Sequence, residues 1–170
     1  HCVTSGRGCG VAWNSFALAV AVGISSSLLG LAFALIATRT QFPYKRALRA
    51  LTVLPIITPP FVIGLALILL VGQSGAMTTF LDWSLGIHPT RWLYGFTGVF
   101  LAQTLAFTPI AFLVLIGVVQ GVSPSMEEAA QTLRADPWTT FTTVSLPLMR
   151  PGLANAFLLG FIESMADFGN

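Results

Sequence analysis

Glu163 and Asp167 stand four residues apart in the closing stretch GFIESMADFGN, so a helix would carry both carboxylates on one face. Such a pair in an apolar segment could hold a hard cation or relay protons. It could also do less: Glu163 as a buried polar contact between helices, Asp167 as a helix-end cap ahead of Gly169. Counting from Gly152 at about 1.5 Å per residue puts Glu163 roughly 16 Å into a bilayer, near its middle. A carboxylate there is costly unless it faces protein or water, which marks both residues as candidates for a substrate path. Other reactive side chains are sparse. His88, beside Pro89, reads as a solvated loop histidine. Cys2 and Cys9 match no zinc spacing; a disulfide and two unrelated thiols both fit. No nucleophile falls beside a base, and no G-x-x-x-x-G-K-[ST] loop could bind ATP. The expectation is a non-catalytic chain with no metal site and no cofactor of its own.

The elements that must position these residues follow from composition. The 170 residues are 55% apolar and 8% charged, whereas soluble domains carry about a quarter charged residues. No charge interrupts Gly8–Thr38, Ala50–Leu81 or Trp92–Met126. A membrane-crossing helix needs about 20 apolar residues, so each run holds one span. The fold class is therefore all-α, a polytopic helical membrane protein with about four spans, near 13–37, 51–71, 93–119 and 152–170. Arg39, Lys45, Arg46 and Arg49 crowd the first loop, which the positive-inside rule assigns to the cytoplasm. Residues 72–92 then lie outside, where Trp83, Trp92 and Tyr94 form an interfacial belt, and 120–151 lie inside. Asn14-Ser15 could cap the first span. Gly23, Ser26, Ser27, Gly30 and Ala34 give it small-residue stripes for close helix packing. Pro55, Pro59 and Pro60 bend the second span, as a kinked entry or a flexible element beside a pathway. The third carries Gln103, Thr104, Thr108 and Pro109. The chain opens without Met and stops at or inside a span, so residues 1–170 are expected to be a fragment of one transmembrane domain.

Between spans three and four lies SPSMEEAAQTLRADPWTTFTTVSLPLMRP, with five of the fourteen Asp, Glu, Lys and Arg residues. Ser123-Pro124 opens a helix well; alternatively Ser125 caps it, with Glu128 as capping-box partner. Glu127 and Glu128 suit the first turn. Met126, Ala129, Ala130 and Leu133 share one flat face. Asp136 and Pro137 signal a second start, followed by Trp138, Phe141 and Val144, and Pro147 is expected to stop this helix. Two short helices joined by Arg134-Ala135-Asp136 make a rigid knuckle. A helix-turn-helix reader of nucleic acid fails on charge, because Arg134 alone neutralises too little phosphate. An interfacial amphipathic helix would have a basic polar face. Docking into a groove of another protein remains.

The stretch EEAAQTLRADPWTTFTTVSLPLMRPGL resembles the EAA loop of binding-protein-dependent ABC transporter permeases, the MetI-like type I membrane subunits. Glu128, Ala129 and Ala130 match its first part and Leu146-Pro147 its second, with Asp136, Pro137, Trp138 and Phe141 between them. Asn14-Ser15, the basic turn and LPIITPP are similar to the family's core. Arg134 departs from the pattern, standing where the family has glycine; either the turn is built differently or Arg134 pairs with the ATPase. The resemblance implies an ATPase-coupling surface over Glu127, Glu128, Ala129, Ala130, Leu133, Arg134, Ala135, Asp136, Pro137, Trp138, Phe141, Leu146 and Pro147. It further implies a cytoplasmic ATP-binding subunit dimer that binds the ATP, a second permease core, an extracytoplasmic solute-binding protein, and a bacterial inner membrane around the chain. ESMADFGN is similar to the ferric-iron uptake subgroup, which points to iron as cargo. Two other readings compete: a gradient-driven secondary transporter or channel using Glu163 and Asp167, and a scaffold without transport.

Overall fold

The computed structural model describes residues 8–40, 43–73, 75–85, 94–132, 134 and 136–167. Long apolar runs become long helices because a bilayer offers no partner to a free amide or carbonyl. α1 spans Gly8–Arg39 and α5 spans Phe96–Gly121. α8, Leu146–Ala166, completes a bundle in which all three pack on one another. Its core holds Leu31, Ala34, Phe112, Leu115, Met149 and Ala156. A second cluster of Val22, Ala106 and Phe107 lies between α1 and α5. Close approach depends on small residues. A Cβ at Gly30 would meet the Phe112 amide nitrogen at 2.8 Å, and one at Gly160 the Ser26 hydroxyl at 2.8 Å.

Arginines tie off one end of this bundle. Arg39 donates to the carbonyls of Val119 and Val122, each at 3.4 Å, and Arg49 to that of Ala37 at 3.3 Å. These carbonyls lie at or near the C-terminal ends of α5 and α1, where acceptors lack helical donors and cations suit the dipole.

Four segments are long and apolar enough to cross a membrane: Ala12–Arg39, Pro60–Phe80, Phe96–Gly121 and Pro137–Ala166. Several expectations need correction. Asn14 and Ser15 do not cap a helix start; α1 begins earlier and runs through them. The stretch 51–71 is not one bent helix. It breaks into α2 (Lys45–Val53), a 3-10 turn (Leu54–Ile57) and α3 (Pro60–Val71). The prolines are the cause, each removing a donor, and Thr58 turns extended at ψ 122°. The stretch between α3 and α5 carries a further helix, α4, over Ala76–Leu85. Its Tyr94 hydroxyl accepts from the Gln73 amide at 3.4 Å. His88, Trp92, Cys2 and the side chains of Trp83 and Cys9 lie outside the described residues.

α3 stands apart. It packs on α4 and α5, and none of its residues is buried.

Candidate functional site

The knuckle forms from its own sequence signals. α6 spans Pro124–Thr132, so Ser123 is the residue before the helix and Ser125 is inside it; their hydroxyls share a hydrogen bond of 2.7 Å. The alternative with Ser125 as cap is thereby set aside. α7 begins at Pro137 with Asp136 at the cap position, extended at ψ 163°. The Asp136 carboxylate accepts from the Thr139 hydroxyl. That bond holds its carboxyl below the usual carboxylate range.

Pro147 does not stop the second helix, contrary to expectation. α7 (Pro137–Thr140) passes through a π turn, Phe141–Ser145, directly into α8. A proline clashes with the carbonyl four residues back and cannot donate to it. The π turn relieves this by widening the ladder, with the Leu146 amide reaching Phe141 O five residues back. Thr142 and Thr143 hydroxyls donate to the carbonyls of Trp138 and Thr139, at 3.0 and 2.6 Å. The second helix of the knuckle is thus continuous with α8 and belongs to the fourth membrane-length segment, Pro137–Ala166.

Arg134 has φ 62°, the left-handed region. The turn is therefore not rebuilt to suit arginine. It keeps the geometry glycine would favour, and arginine bears the strain.

Exposure divides the predicted coupling residues. Glu128, Ala129, Arg134, Asp136 and Pro137 are exposed, with Met126 beside them. Trp138 is 71% exposed, its indole 6.0 Å from the Phe141 ring. Phe141 is half-buried and packs on the main core. Ala130, Leu146 and Pro147 are half-buried. Glu127 lies within α6, nothing more of it being described, and Leu133 and Ala135 fall outside the described residues.

Glu163 and Asp167 meet different neighbours. α8 ends at Ala166, with Asp167 as its C-terminal cap residue. The Asp167 carboxylate accepts from Gln103 Nε2 at 3.0 Å, while Gln103 Oε1 accepts from Ser164 Oγ at 2.7 Å. Both bonds fix the amide orientation, since a carboxylate can only accept. Gln103 is 2% exposed. Ser25 and Thr104 hydroxyls pair nearby at 3.0 Å, and the Thr108 hydroxyl donates to Thr104 O at 2.6 Å beside Pro109. Glu163 is exposed and lines a cavity of about 280 Å³ with the broken stretch Pro55–Pro60 and residues Ala106, Phe107 and Ile110 of α5. Sequence reasoning noted Gln103 and Thr104 as polar residues in a span but did not join them to the carboxylates. Ser25 and Ser164 carried no signal, because the pairings cross between helices.

The described residues form a helical bundle with four membrane-length segments, a polar seam inside it and an elbow at its arginine-rich end, the architecture of a multi-pass membrane protein. The chain belongs to the family described as binding-protein-dependent transport system inner membrane component, whose profile matches residues 26–169. It is a multi-pass inner-membrane protein of that family. It is 49% identical over 157 residues to the ferric transport system permease protein FbpB of Actinobacillus pleuropneumoniae, covering 92% of this chain and 23% of that protein. A putative ferric permease of Haemophilus influenzae, FbpB 1, is also 49% identical over 157 residues, with 25% of it covered. The molybdenum permease ModB of Escherichia coli (strain K12) is 32% identical over 162 residues, covering 92% of this chain and 69% of that protein. The chain thus spans about a quarter of the length of the ferric permeases it matches. Among solved structures, a bacterial alginate ABC transporter in complex with an alginate pentasaccharide-bound periplasmic protein superposes with a TM-score of 0.72 at 18% identity. That match covers 88% of this chain and 55% of that one, and it speaks for the fold.

Proposed function

We propose that this chain is part of the membrane-spanning permease subunit of an ATP-driven, binding-protein-dependent importer. ATP is bound and hydrolysed by a separate cytoplasmic ATP-binding subunit dimer. Closure of that dimer moves the knuckle, and α8 follows because it is one rod with α7. A solute-binding protein delivers cargo on the outer side. α3, with no buried residue, offers its apolar surface to lipid or to a second permease core. Residues 1–170 then form part of one such transmembrane domain.

The observation that carries this reading is the exposed Trp138 on a helix continuous with a membrane-length segment. A large apolar side chain left outside on a stiff element is what a groove in a partner would take up. Ferric iron is the cargo the reading favours, on two grounds: the ferric permeases are 49% identical, against 32% for the Escherichia coli molybdenum permease, and Glu163 supplies a hard oxygen ligand.

Reconstitution separates this from gradient-driven transport. Proteoliposomes holding the full permease, its ATP-binding subunit and the loaded binding protein are expected to take up cargo only with ATP and binding protein present. Uptake driven by an ion gradient without ATP would contradict the proposal.

A further inference from the structure

Ile56 and Glu163 share the cavity of about 280 Å³ beside α5. In an α-helix a carbonyl accepts from the amide four residues on, and in a 3-10 turn from the amide three on. For Ile56 those residues are Pro60 and Pro59, and neither has an N–H. Two other carbonyls of the same stretch do find amides. Pro55 O accepts from the Thr58 amide at 2.9 Å, and Pro59 O from the Val62 amide at 2.9 Å. Two adjacent prolines therefore strip one carbonyl of both its helical donors. The lining residue Ala106 lies about 15 Å along α5 from Phe96, near mid-bilayer, where lipid supplies no donor. Such a carbonyl is tolerated where it lines a water-filled or ligand-filled space.

We propose that the Glu163 carboxylate and the Ile56 carbonyl form a transit site for a hard, oxygen-preferring cation, and that Glu163 sets the sign of charge the path accepts. The inference deepens the importer reading and rests on it. A carboxylate and a carbonyl both present oxygen to a hard cation. An oxyanion would meet the negative charge of Glu163 first, with no cationic lining residue to offset it among those described. Among the described residues no three His, Cys, Asp or Glu side chains come together. The site therefore binds loosely, as a stage in passage requires.

The test uses the assembled transporter in uncharged maltoside detergent, with terbium(III) as a hard trivalent probe read by its luminescence. Glu163→Gln is expected to weaken one class of terbium binding at least tenfold, and Glu163→Asp only a few-fold. Pro60→Ala restores an amide four residues after Ile56 and is expected to weaken the same binding several-fold. Molybdate is expected not to compete. Wild-type terbium affinity in Glu163→Gln would overturn the site, and an unchanged Pro60→Ala would overturn the carbonyl's share in it. ATP hydrolysis stimulated by loaded binding protein is measured in the same samples. If that stimulation is intact while Glu163→Gln binds normally, the site alone fails; if the unmutated transporter shows no stimulation, the importer reading fails.

Discussion

Gln103 on α5 holds Asp167 at the end of α8, its Nε2 donating to Oδ2 at 3.0 Å, while the other end of the same amide accepts from Ser164. One buried amide thus clamps the last turn of α8 to α5. Gln103→Leu removes the amide from both partners and is expected to cost about 1–2 kcal/mol, between typical membrane hydrogen bonds and those to charged groups. Asp167→Asn keeps an acceptor and is expected to cost less than half as much. Thermal unfolding of the purified protein in detergent gives both values.

Gly30 is packed against backbone. Its added Cβ would lie 2.8 Å from the Phe112 nitrogen and 2.9 Å from the Ala111 carbonyl carbon. Neither atom can swing aside, so Gly30→Ala is expected to destabilise by about 1–3 kcal/mol. Gly117 has nothing within 4 Å of the corresponding point, and Gly117→Ala is expected to cause no loss. The same melting assay compares the two.

Arg134 sits at φ 62°. A left-handed conformation costs an L-residue about 1–2 kcal/mol and glycine almost nothing. Arg134→Gly is therefore expected to raise the unfolding temperature, and Arg134→Val to lower it.

Asp136 accepts from the Thr139 hydroxyl, and its carboxyl is held below the usual range. A depressed folded-state pKa gives a contribution that is present above the unfolded carboxylate value, about 3.9. That contribution is lost as pH falls through the lower folded value. Thr139→Val is expected to be less stable than wild type at neutral pH, with the gap closing on acidification below pH 4. Melting temperatures measured across that range check the direction.

Much of this architecture was legible beforehand because charge-free length is a local property. The runs containing α1 and α5 are long enough to cross a bilayer and lack any break strong enough to end a helix, so they stand close to where they were expected. Ser123-Pro124 and Asp136-Pro137 located the starts of α6 and α7 for the same reason, a short-range capping preference. Prolines were harder to read. Pro55, Pro59 and Pro60 broke a helix that was expected only to bend, while Pro147 was absorbed by a π turn that threonine hydroxyls support. The outcome depends on which neighbours satisfy the freed carbonyls, and residue type alone does not reveal that. The Gln103–Ser164–Asp167 clamp was hidden because Gln103 lies more than 60 positions along the chain from both of its partners.

The central claim is that the knuckle of α6 and α7 meets a cytoplasmic ATP-binding subunit. Met126 is exposed on α6, close to Glu128, and a cysteine there would lie on the proposed contact. Met126→Cys in membranes is expected to crosslink to the ATP-binding subunit, with a yield that changes between nucleotide-free and ATP-bound states. The absence of any crosslink in every nucleotide state, or labelling of this cysteine only from outside the cell, would contradict the account.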